Sequence, residues 1–233
     1  MVVPALNEGR EIGECLTSLT RQTFPPFEVI VVDNGSTDAS ASIARAHGAQ
    51  VIHEPKRGIS YAREAGFRTA RAHIIASTDA DTVVPPNWLE RIHRTFDEDP
   101  KVIAVFGPFR HKPASASSSL ANYLAPYFER GLMLGQRVTW RLGSPHFSGA
   151  NFATRREAFL RVRGFHSPKD GRIYSTWEDI QLGLKLHRMG KVCYLPDLVV
   201  LTSARKLRPA NAWNILIDSS KKGFLLHVMG KPL

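Results

Sequence analysis

The sequence predicts an α/β fold in which helices flank a central, mostly parallel sheet. Over the first hundred residues, short apolar β-branched runs alternate with amphipathic helical segments. The links between them are short, and a polar cluster follows several of the runs. Such alternation is typical of βα units that place consecutive strands side by side in one parallel sheet. With 233 residues, the chain is long enough for one large domain or two small ones.

The clearest strand of the first half is Phe27 to Val32 (FEVIVV), a continuous apolar run that ends at Asp-Asn-Gly. An uninterrupted β-branched run of this kind is typical of a strand buried on both faces. The other predicted elements are the end of a strand at Val2-Val3-Pro4, a helix that Asn7 caps and that carries Ile12, Cys15, Leu16 and Leu19, a helix over Asp38 to Ala46 that Gly48 ends, a strand over Gln50 to His53, a helix over Ser60 to Ala72, and a strand over His73 to Ser77.

The second half is less regular and contains one compositionally biased stretch, Pro113 to Ser119, which is typical of a loop. Its predicted elements are strands over Val102 to Phe106, Val192 to Leu195 and Leu198 to Leu201, helices over Ala116 to Leu134, Trp177 to Met189 and Pro209 to Val228, and a strand within FSGANFATRRE that leads into a helix near Arg156.

Polar clusters follow three of the predicted strands: Pro4 to Glu8, Asp33-Asn34-Gly35, and Asp79-Ala80-Asp81. In parallel α/β sheets, ligands bind beyond the carboxyl ends of the strands. We therefore expect the three clusters to meet along one edge. Asp79 and Asp81 could bind a metal there, because carboxylate oxygens suit Mg²⁺ or Mn²⁺. Alone, however, STDADT is equally compatible with a solvated turn before Pro85-Pro86.

Charge is distributed unevenly along the chain. Residues 1–100 carry 10 Lys and Arg against 14 Asp and Glu, whereas residues 101–233 carry 21 against 7. A basic half attracts polyanions such as nucleic acid, an anionic membrane surface or a phosphorylated small molecule. Composition alone does not choose among them.

Nothing in the sequence indicates a membrane-spanning or secreted protein. No run approaches the roughly 18–20 apolar residues that a spanning helix needs, and no charged leader precedes an apolar core. Cys15 and Cys193 lack metal-ligand spacing. Two buried, reduced thiols in a cytoplasmic protein are the simplest interpretation.

Six motifs, in this order and spacing, resemble inverting family 2 glycosyltransferases of the GT-A fold. They are VVPALNE, VIVVDNGSTD, RGISYAREAG, STDADT, SGANFATRREAF and WEDIQLGLKL. The resemblance runs from Val2 to about Ser203. It implies a Rossmann-like GT-A domain over residues 1–205, with a nucleotide-binding half (1–100) and an acceptor half (101–205). Residues 206–233 would form a basic C-terminal helix or tail.

The resemblance also implies how a nucleotide sugar is held. Asp81 would ligate a divalent metal, Mn²⁺ or Mg²⁺, and Asp79 would face the ribose or support the metal's water shell. Asp33 would accept the imide N–H of uracil, which favours a UDP-linked donor, although thymine presents the same edge. The remaining donor-binding residues implied by the resemblance are Pro4, Ala5, Asn7 and Glu8 at the base and ribose, Arg63 towards the nucleotide, and Gly149, Ala150 and Asn151 by the donor sugar.

Asp179 is the implied catalytic base, which would take the proton of the acceptor hydroxyl, and Glu178 would orient the acceptor. Simpler interpretations stay open for several of these residues. Acids at a helix start also complement the helix dipole. Asp33 could be a turn residue and Arg63 an exposed helical arginine. The sequence departs from the family where many GT-A enzymes supply a histidine, because Thr202-Ser203 stands there. We therefore expect metal binding to rest mainly on Asp81, the diphosphate and water.

We expect a saccharide or lipid-linked acceptor in cell-envelope or polysaccharide synthesis, and a lipid phosphate and a lipid-linked saccharide are both compatible with the sequence. The segment from Arg205 to Lys231 carries six cations against one acid, interleaved with apolar residues. The last helix could lie on an anionic membrane surface, at the inner face of the cell membrane. It could equally pack over the sheet and expose its lysines. We expect a cytoplasmic protein in either case.

Two other function classes are compatible with part of the pattern. A nucleotidyltransferase shares the α/β layout and the metal, but usually has a Gly-rich basic loop where this chain has PALNEG. A non-catalytic protein that binds anions or nucleic acid would explain the basic half. It would leave the acidic clusters unexplained, since carboxylates repel phosphate unless a metal intervenes. No nucleic-acid partner is expected.

Overall fold

The computed structural model describes residues 1–24, 27–112, 130–131, 133–143, 145–167, 170–174 and 177–206. Its main sheet has seven strands in the order β3-β2-β1-β4-β8-β6-β9. They are β1 (Val2–Ala5), β2 (Ile30–Asp33), β3 (Gln50–His53), β4 (Ile74–Ser77), β6 (Val102–Phe106), β8 (Phe152–Arg155) and β9 (Lys191–Tyr194). Strand β8 alone is antiparallel to its neighbours β4 and β6. The predicted α/β class with a mostly parallel sheet is confirmed.

Helices cover both faces of this sheet. They are α1 (Ile12–Thr20), α2 (Ser40–Ala46), α3 (Ile59–Thr69), α4 (Trp88–Glu98), α5 (133–141), α6 (Arg156–Arg161) and α7 (Glu178–Met189). The side chains of α1, α2 and α4 pack with Val3 and Val31 in one core cluster. Those of α3, α6 and α7 pack with Val2 and Val32 in a second cluster on the other face. Adjacent residues of β1 thus point into opposite cores, which is why the strand sequences are apolar throughout.

A second sheet has three strands in the order β5-β10-β7. It joins β5 (Thr82–Val83), β7 (Phe109–His111) and β10 (Val200–Thr202), which precedes a short 3₁₀ turn at Ala204–Lys206. Leu201 pairs with Val83, and Thr202 pairs with Thr82. This pairing brings the last described residues back to the turn that follows β4.

Most of the predicted elements exist, with shifted ends, but some details were wrong or missed. Asn7 does not cap α1, because position 11 precedes the helix and the Asn7 side chain accepts a hydrogen bond from the Thr37 amide instead. Cys15 is buried as predicted, whereas Cys193 is only partly buried. The sequence-based prediction contained neither α4 nor the strands β5 and β7. The predicted helix over Pro209 to Val228 and most of that over Ala116 to Leu134 lie outside the described residues.

Within the described part of the chain, none of the helices has the length and apolar character required to cross a membrane.

Candidate active site

The three polar clusters meet at one edge of the sheet, as predicted. Strands β1, β2 and β4 are parallel neighbours, so their carboxyl ends open onto the same space. A cavity of about 400 Å³ lies there. Its walls are formed by Pro4, Ala5, Leu6, Glu8, Asn34, Gly58, Ile59, Ala62, Arg63, Asp79, Ala80 and Asp81. Five predicted donor-site residues are among them (Pro4, Ala5, Glu8, Arg63 and Asp79), together with the predicted metal ligand Asp81.

The turn Asp79-Ala80-Asp81 is held from both sides. Asp81 is 5% exposed, accepts a hydrogen bond from the Thr202 hydroxyl at 3.2 Å, and accepts the Ser203 amide through its backbone carbonyl at 3.1 Å. The Cys15 thiol donates to the Asp79 carbonyl at 3.4 Å. Burial raises the pKa of that thiol to about 12, and the Asp79 and Asp81 charges act in the same direction. Cys15 is therefore an inert donor beneath the turn.

Arg63 of α3 connects this turn to the start of α7. Its guanidinium pairs with Asp79 at 2.7 Å and also with Glu178. Arg63 is 4% exposed, so the alternative of an exposed helical arginine is excluded. Burial disfavours the charged form, but the carboxylates of Asp79, Glu178 and Asp179 outweigh it and raise the pKa of Arg63. One buried cation thus faces three acids.

Asp179 is oriented by two backbone amides. One carboxylate oxygen accepts the Gly149 N–H at 2.8 Å, and the other accepts the Ile180 N–H at 2.8 Å. Burial raises the pKa of Asp179 to about 6, and the Glu178 charge adds to this effect. Arg63 and the two amides act in the opposite direction. The result is a fixed carboxylate that is ionised at neutral pH and more basic than an ordinary aspartate, which suits a general base.

Gly149 is required by the close approach of Arg63. A methyl group at position 149 would overlap the guanidinium of Arg63. The absence of a side chain therefore lets the buried cation reach Asp79 while the Gly149 amide holds Asp179. Gly149 thus lies between the guanidinium of Arg63 and the carboxylate of Asp179. Its expected place by the donor sugar stays a prediction.

Strand β2 and the loop before α3 form another part of this edge. Asp33 accepts the Ser36 amide at 3.0 Å and lies 3.6 Å from the ring of His53. Asn34 is 3% exposed, donates to the carbonyls of residues 54 and 56, and accepts the Gly58 amide at 2.7 Å. Asn34 therefore fixes the loop that forms one wall of the cavity.

Glu8 and the last described residues meet on the opposite side of the cavity. Glu8 is 5% exposed, its amide donates to the Ser40 hydroxyl at 2.8 Å, and its carboxylate pairs with Arg205. Because Glu8 lines the cavity, this ion pair places a guanidinium at its mouth. The neighbouring Asn7 is exposed and tied to Thr37.

The structure does not bring Ala150 and Asn151 to the cavity. Ala150 is 3% exposed and packs in the core. The Asn151 side chain is fully buried: it accepts from the Trp88 indole at 2.8 Å and donates to the carbonyls of Pro108 and Leu198. All of its hydrogen-bonding groups are thereby used. A direct donor contact by Asn151 is thus not supported, and its role here is to lock α4 against the sheet.

Three site residues were missed or underrated by sequence reasoning: Asn34, Gly58 and Thr202. Asn34 was read only as part of a turn, although an Asn between Asp33 and Gly35 is a usual place for a side chain that satisfies a loop backbone. Thr202 was noted as the residue at the place of a family histidine. Its hydroxyl does contact Asp81, which only the pairing of β10 with β5 reveals.

The site suits a divalent metal by the chemistry of its acids. Among the described residues, no cluster of three or more His, Cys, Asp and Glu side chains could enclose an ion. Asp81 and Asp79 nevertheless present hard oxygen ligands to a cavity that also contains Glu8. A ligand that carries phosphates would be repelled by these acids unless a cation intervened. Asp81 therefore fits a metal site whose remaining ligands would be oxygens of a bound phosphate-carrying molecule and of water.

Comparisons with known proteins identify the family of this chain. A family model described as glycosyl transferase family 2 matches residues 1–163. GlyG, a glycosyltransferase of Streptococcus pneumoniae, is 35% identical over 104 residues, which cover 42% of this chain and 35% of GlyG. AglE, a glycosyltransferase of Haloferax volcanii, is 35% identical over 99 residues, which cover 39% of this chain and 33% of AglE. The matched segments thus span about a third of the length of these relatives.

Solved structures show the same fold. A mannosyltransferase from Pyrobaculum calidifontis, in complex with GDP-Man and Mn²⁺, superposes with a TM-score of 0.73 at 24% identity, over 100% of this chain and 64% of that one. S. aureus TarS with UDP-GlcNAc gives a TM-score of 0.67 at 19% identity, over 88% of this chain and 58% of that one. Both likenesses establish the GT-A fold. The match over residues 1–163 shows that the chain belongs to glycosyl transferase family 2.

Proposed function

We propose that the protein is a metal-dependent inverting glycosyltransferase. It moves a sugar from a UDP-linked donor to a hydroxyl of a saccharide or lipid-linked acceptor in cell-envelope or polysaccharide synthesis. The observation that carries this proposal is the Arg63 network, in which one buried cation joins Asp79 at the donor cavity to Glu178 and Asp179. Donor site and base are thereby held in one rigid unit. Residues 1–100 supply the donor cavity, and residues 101–205 supply the base.

The metal, Mn²⁺ or Mg²⁺, would be held by Asp81. When bound, it supplies Lewis-acid neutralisation of the donor's diphosphate. This chain's own contribution is to hold the Asp81 carboxylate in place, because the Thr202 hydroxyl donates a hydrogen bond to it. Asp79 would support the metal's water shell. Its side chain pairs with Arg63 and is 32% exposed. Arg205, at the cavity mouth beside Glu8, would add positive charge near the departing diphosphate.

Asp179 would act as the base. The acceptor oxygen forms a bond to the anomeric carbon while the bond from that carbon to the diphosphate oxygen breaks. The hydroxyl proton passes to the Asp179 carboxylate, and the electron pair of the broken bond leaves with the nucleoside diphosphate. Two N–H donors fix the carboxylate, so its geometry does not depend on the substrate. The Glu178 carboxylate forms an ion pair with Arg63. We therefore assign it an orienting role and not the transfer of the proton.

The uridine assignment rests on Asp33. Its carboxylate stands at the end of β2, beside the cavity wall made by Asn34, where it would accept an N–H from the base. The structurally similar mannosyltransferase binds GDP-Man, whereas TarS binds UDP-GlcNAc. Guanosine donors are therefore the second candidate. The family resemblance of the DNGSTD motif favours uridine.

The direct test measures release of nucleoside diphosphate from UDP-, dTDP- and GDP-linked sugars, with and without Mn²⁺. We expect Mn²⁺-dependent release from a UDP-sugar that accelerates when a sugar acceptor is added. Release of GDP alone would overturn the uridine assignment while keeping the transferase. A protein that binds no nucleotide sugar, but binds DNA or RNA with a steep salt dependence, would refute the enzyme assignment.

Membrane contact is a separate part of the proposal. The basic segment 206–233 lies outside the described structure except for Lys206, and its expected contact with an anionic surface stays a prediction. Co-sedimentation of the full chain with anionic vesicles and with neutral vesicles tests it. Equal binding to both would argue against an electrostatic contact.

A further inference from the structure

A second cavity, of about 350 Å³, lies on the side of α3 that faces away from the donor edge. It is lined by Arg68 of α3, by Leu160 and Arg163 at the end of α6, and by His166 and Gly171 of the following loop. It shares no lining residue with the donor cavity. Two guanidinium groups and an imidazole line it, and the lining contains no acid.

The wall of this cavity is organised by a buried carboxylate. Glu64, whose side chain is 6% exposed, accepts the Phe165 amide at 2.9 Å and pairs with Arg68 through Nε. The His166 ring lies 3.4 Å from the same carboxylate. The negative charge of Glu64 is thus balanced inside the wall. Among the described residues, Arg68 donates from Nε alone, which leaves its terminal nitrogens to face the cavity.

Arg163 is the cation that this arrangement does not neutralise. The side chain of Arg163 is exposed and forms no ion pair with any other residue in the described part of the chain. Its backbone has φ of 60°, and Gly164 follows with φ of 51°. A left-handed conformation is unfavourable for an arginine and points to function when the surroundings enforce it.

The surroundings do enforce this bend. The Lys185 ammonium of α7 donates to the carbonyls of residues 162, 164 and 166, and a side chain at Gly164 would overlap Glu64. Both ends of the bend are therefore fixed. The consequence is a fixed backbone that places Arg163 in the lining of a cavity that Arg68 and His166 also line.

We propose that this cavity is a binding site for a phosphate group. Paired guanidinium groups match phosphate oxygens with charge-assisted, often bidentate hydrogen bonds. The volume exceeds that of the anion alone, so the phosphate of a larger molecule also fits. Glu64 follows Arg63 directly in α3, and the loop that carries His166 leads to the catalytic helix α7. The site therefore adjoins the catalytic network without belonging to it.

The test is a titration with inorganic phosphate at constant ionic strength, followed by the arginine side-chain N–H signals in NMR spectra. We expect saturable shifts and a dissociation constant that rises about tenfold or more in Arg163→Gln, as loss of a charge-assisted contact implies. Arg161→Gln is the matched control, because Arg161 is exposed at the last residue of α6, two positions before Arg163, and pairs with Glu157 outside the cavity. It should bind phosphate like wild type.

A second variant guards against misfolding. Arg163→Gly removes the guanidinium at a position whose φ glycine adopts without strain, so it should fold at least as well as wild type and still lose phosphate binding. Shifts that do not saturate, or equal losses in the Arg161 and Arg163 variants, would show only diffuse charge attraction and overturn the site.

The source of the phosphate is resolved by vesicles. Phosphatidic acid vesicles that retain wild type and Arg161→Gln but release Arg163→Gln would identify a lipid headgroup. Equal retention of all three proteins, together with the expected phosphate titration, would identify a free or small-molecule phosphate. Neither arm depends on transferase activity, so the failure of this site would leave the proposed glycosyl transfer intact.

Discussion

Arg63 and Glu64 are consecutive residues of one helix, and both are buried, yet their surroundings are opposite. Arg63 is a cation among the acids Asp79, Glu178 and Asp179. Glu64 is a carboxylate among basic groups, with Arg68 and His166 against it. Each buried charge is thus outnumbered by its partners, because burying an ion without compensation is costly. The groups around Arg63 therefore have an excess of acids, and those around Glu64 have an excess of basic groups.

This difference indicates what each side can bind. The acid excess around Arg63 suits a metal and a proton acceptor, which a sugar-nucleotide transferase needs. The basic excess around Glu64 suits an anion. The two sides also differ in their exposure to solvent: the side chains of Arg63 and Glu178 are 5% and 6% exposed, whereas that of Arg68 is 53% exposed. We therefore expect substitutions on the Arg63 side to have the larger effects.

The largest effect is expected for Asp179→Asn, which removes the proposed base and keeps the size of the side chain. Loss of a general base lowers the rate by about 10²- to 10⁴-fold. Steady-state assays of UDP release with acceptor measure it, and donor affinity should stay within about twofold because Asp179 does not line the donor cavity. A variant with normal kcat would contradict the role of Asp179.

A large loss of stability is expected for Arg63→Met, which leaves three acids without their shared cation. Removing one partner of a buried ion pair costs about 3–5 kcal/mol of unfolding free energy. Urea denaturation at pH 7 measures it. Arg161→Met is the control, because the exposed pair of Arg161 with Glu157 contributes only about 0–1 kcal/mol. Similar losses of unfolding free energy in both variants would show that the Arg63 network contributes no more to stability than an exposed ion pair.

The corresponding change on the other side, Glu64→Gln, should cost less. Glutamine can still accept the Phe165 amide, and Arg68 can turn towards solvent, so we expect a loss of about 1–3 kcal/mol. Comparison of the two urea transitions, for Arg63→Met and Glu64→Gln, tests the asymmetry directly. A Glu64 variant that is less stable than the Arg63 variant would reverse the comparison.

The smallest effect concerns the stability of Asp179→Asn. Because the folded-state pKa of Asp179 is raised to about 6 from 3.8, its ionisation opposes folding. Below about pH 4, Asp179 is protonated in both the folded and the unfolded state, so its ionisation does not lower the free energy of unfolding. The loss of unfolding free energy grows between pH 4 and 6 and is complete above pH 6. The asparagine variant should therefore gain stability relative to wild type as the pH rises from about 4 to 7.

This stability gain should disappear near pH 4. Thermal denaturation of both proteins across this range measures it. A gain that is independent of pH would mean that the Asp179 charge is not its source.

Local sequence patterns were sufficient to predict the strands of the seven-stranded sheet and the convergence of their ends, but not the short strands β5 and β7. Apolar runs such as that before Asp33 specify buried parallel strands, and the geometry of a parallel sheet then brings Pro4, Asp33 and Asp79 together. The contacts that could not be predicted all join distant segments. Arg63 meets Glu178 across 115 positions, and Thr202 meets Asp81 across 121.

Asn151 shows the limit of motif-based reasoning most clearly. The motif SGANFATRREAF placed it beside the donor sugar, but its amide fastens Trp88 and two carbonyls inside the core. A motif records that a residue is needed, and packing decides whether it is needed for the ligand or for the fold. Gly149, two positions earlier, is needed because of Arg63, a residue 86 positions away in the chain.

The central claim is that metal binding and proton transfer belong to different acids, Asp81 and Asp179. Binding of Mn²⁺ in the presence of UDP, followed by electron paramagnetic resonance, tests it most directly for wild type, Asp81→Ala and Asp179→Asn. We predict that Asp81→Ala weakens Mn²⁺ binding by at least about tenfold, whereas Asp179→Asn binds Mn²⁺ like wild type and yet fails to turn over. Wild-type Mn²⁺ affinity in Asp81→Ala, or an equal loss in both variants, would contradict this division.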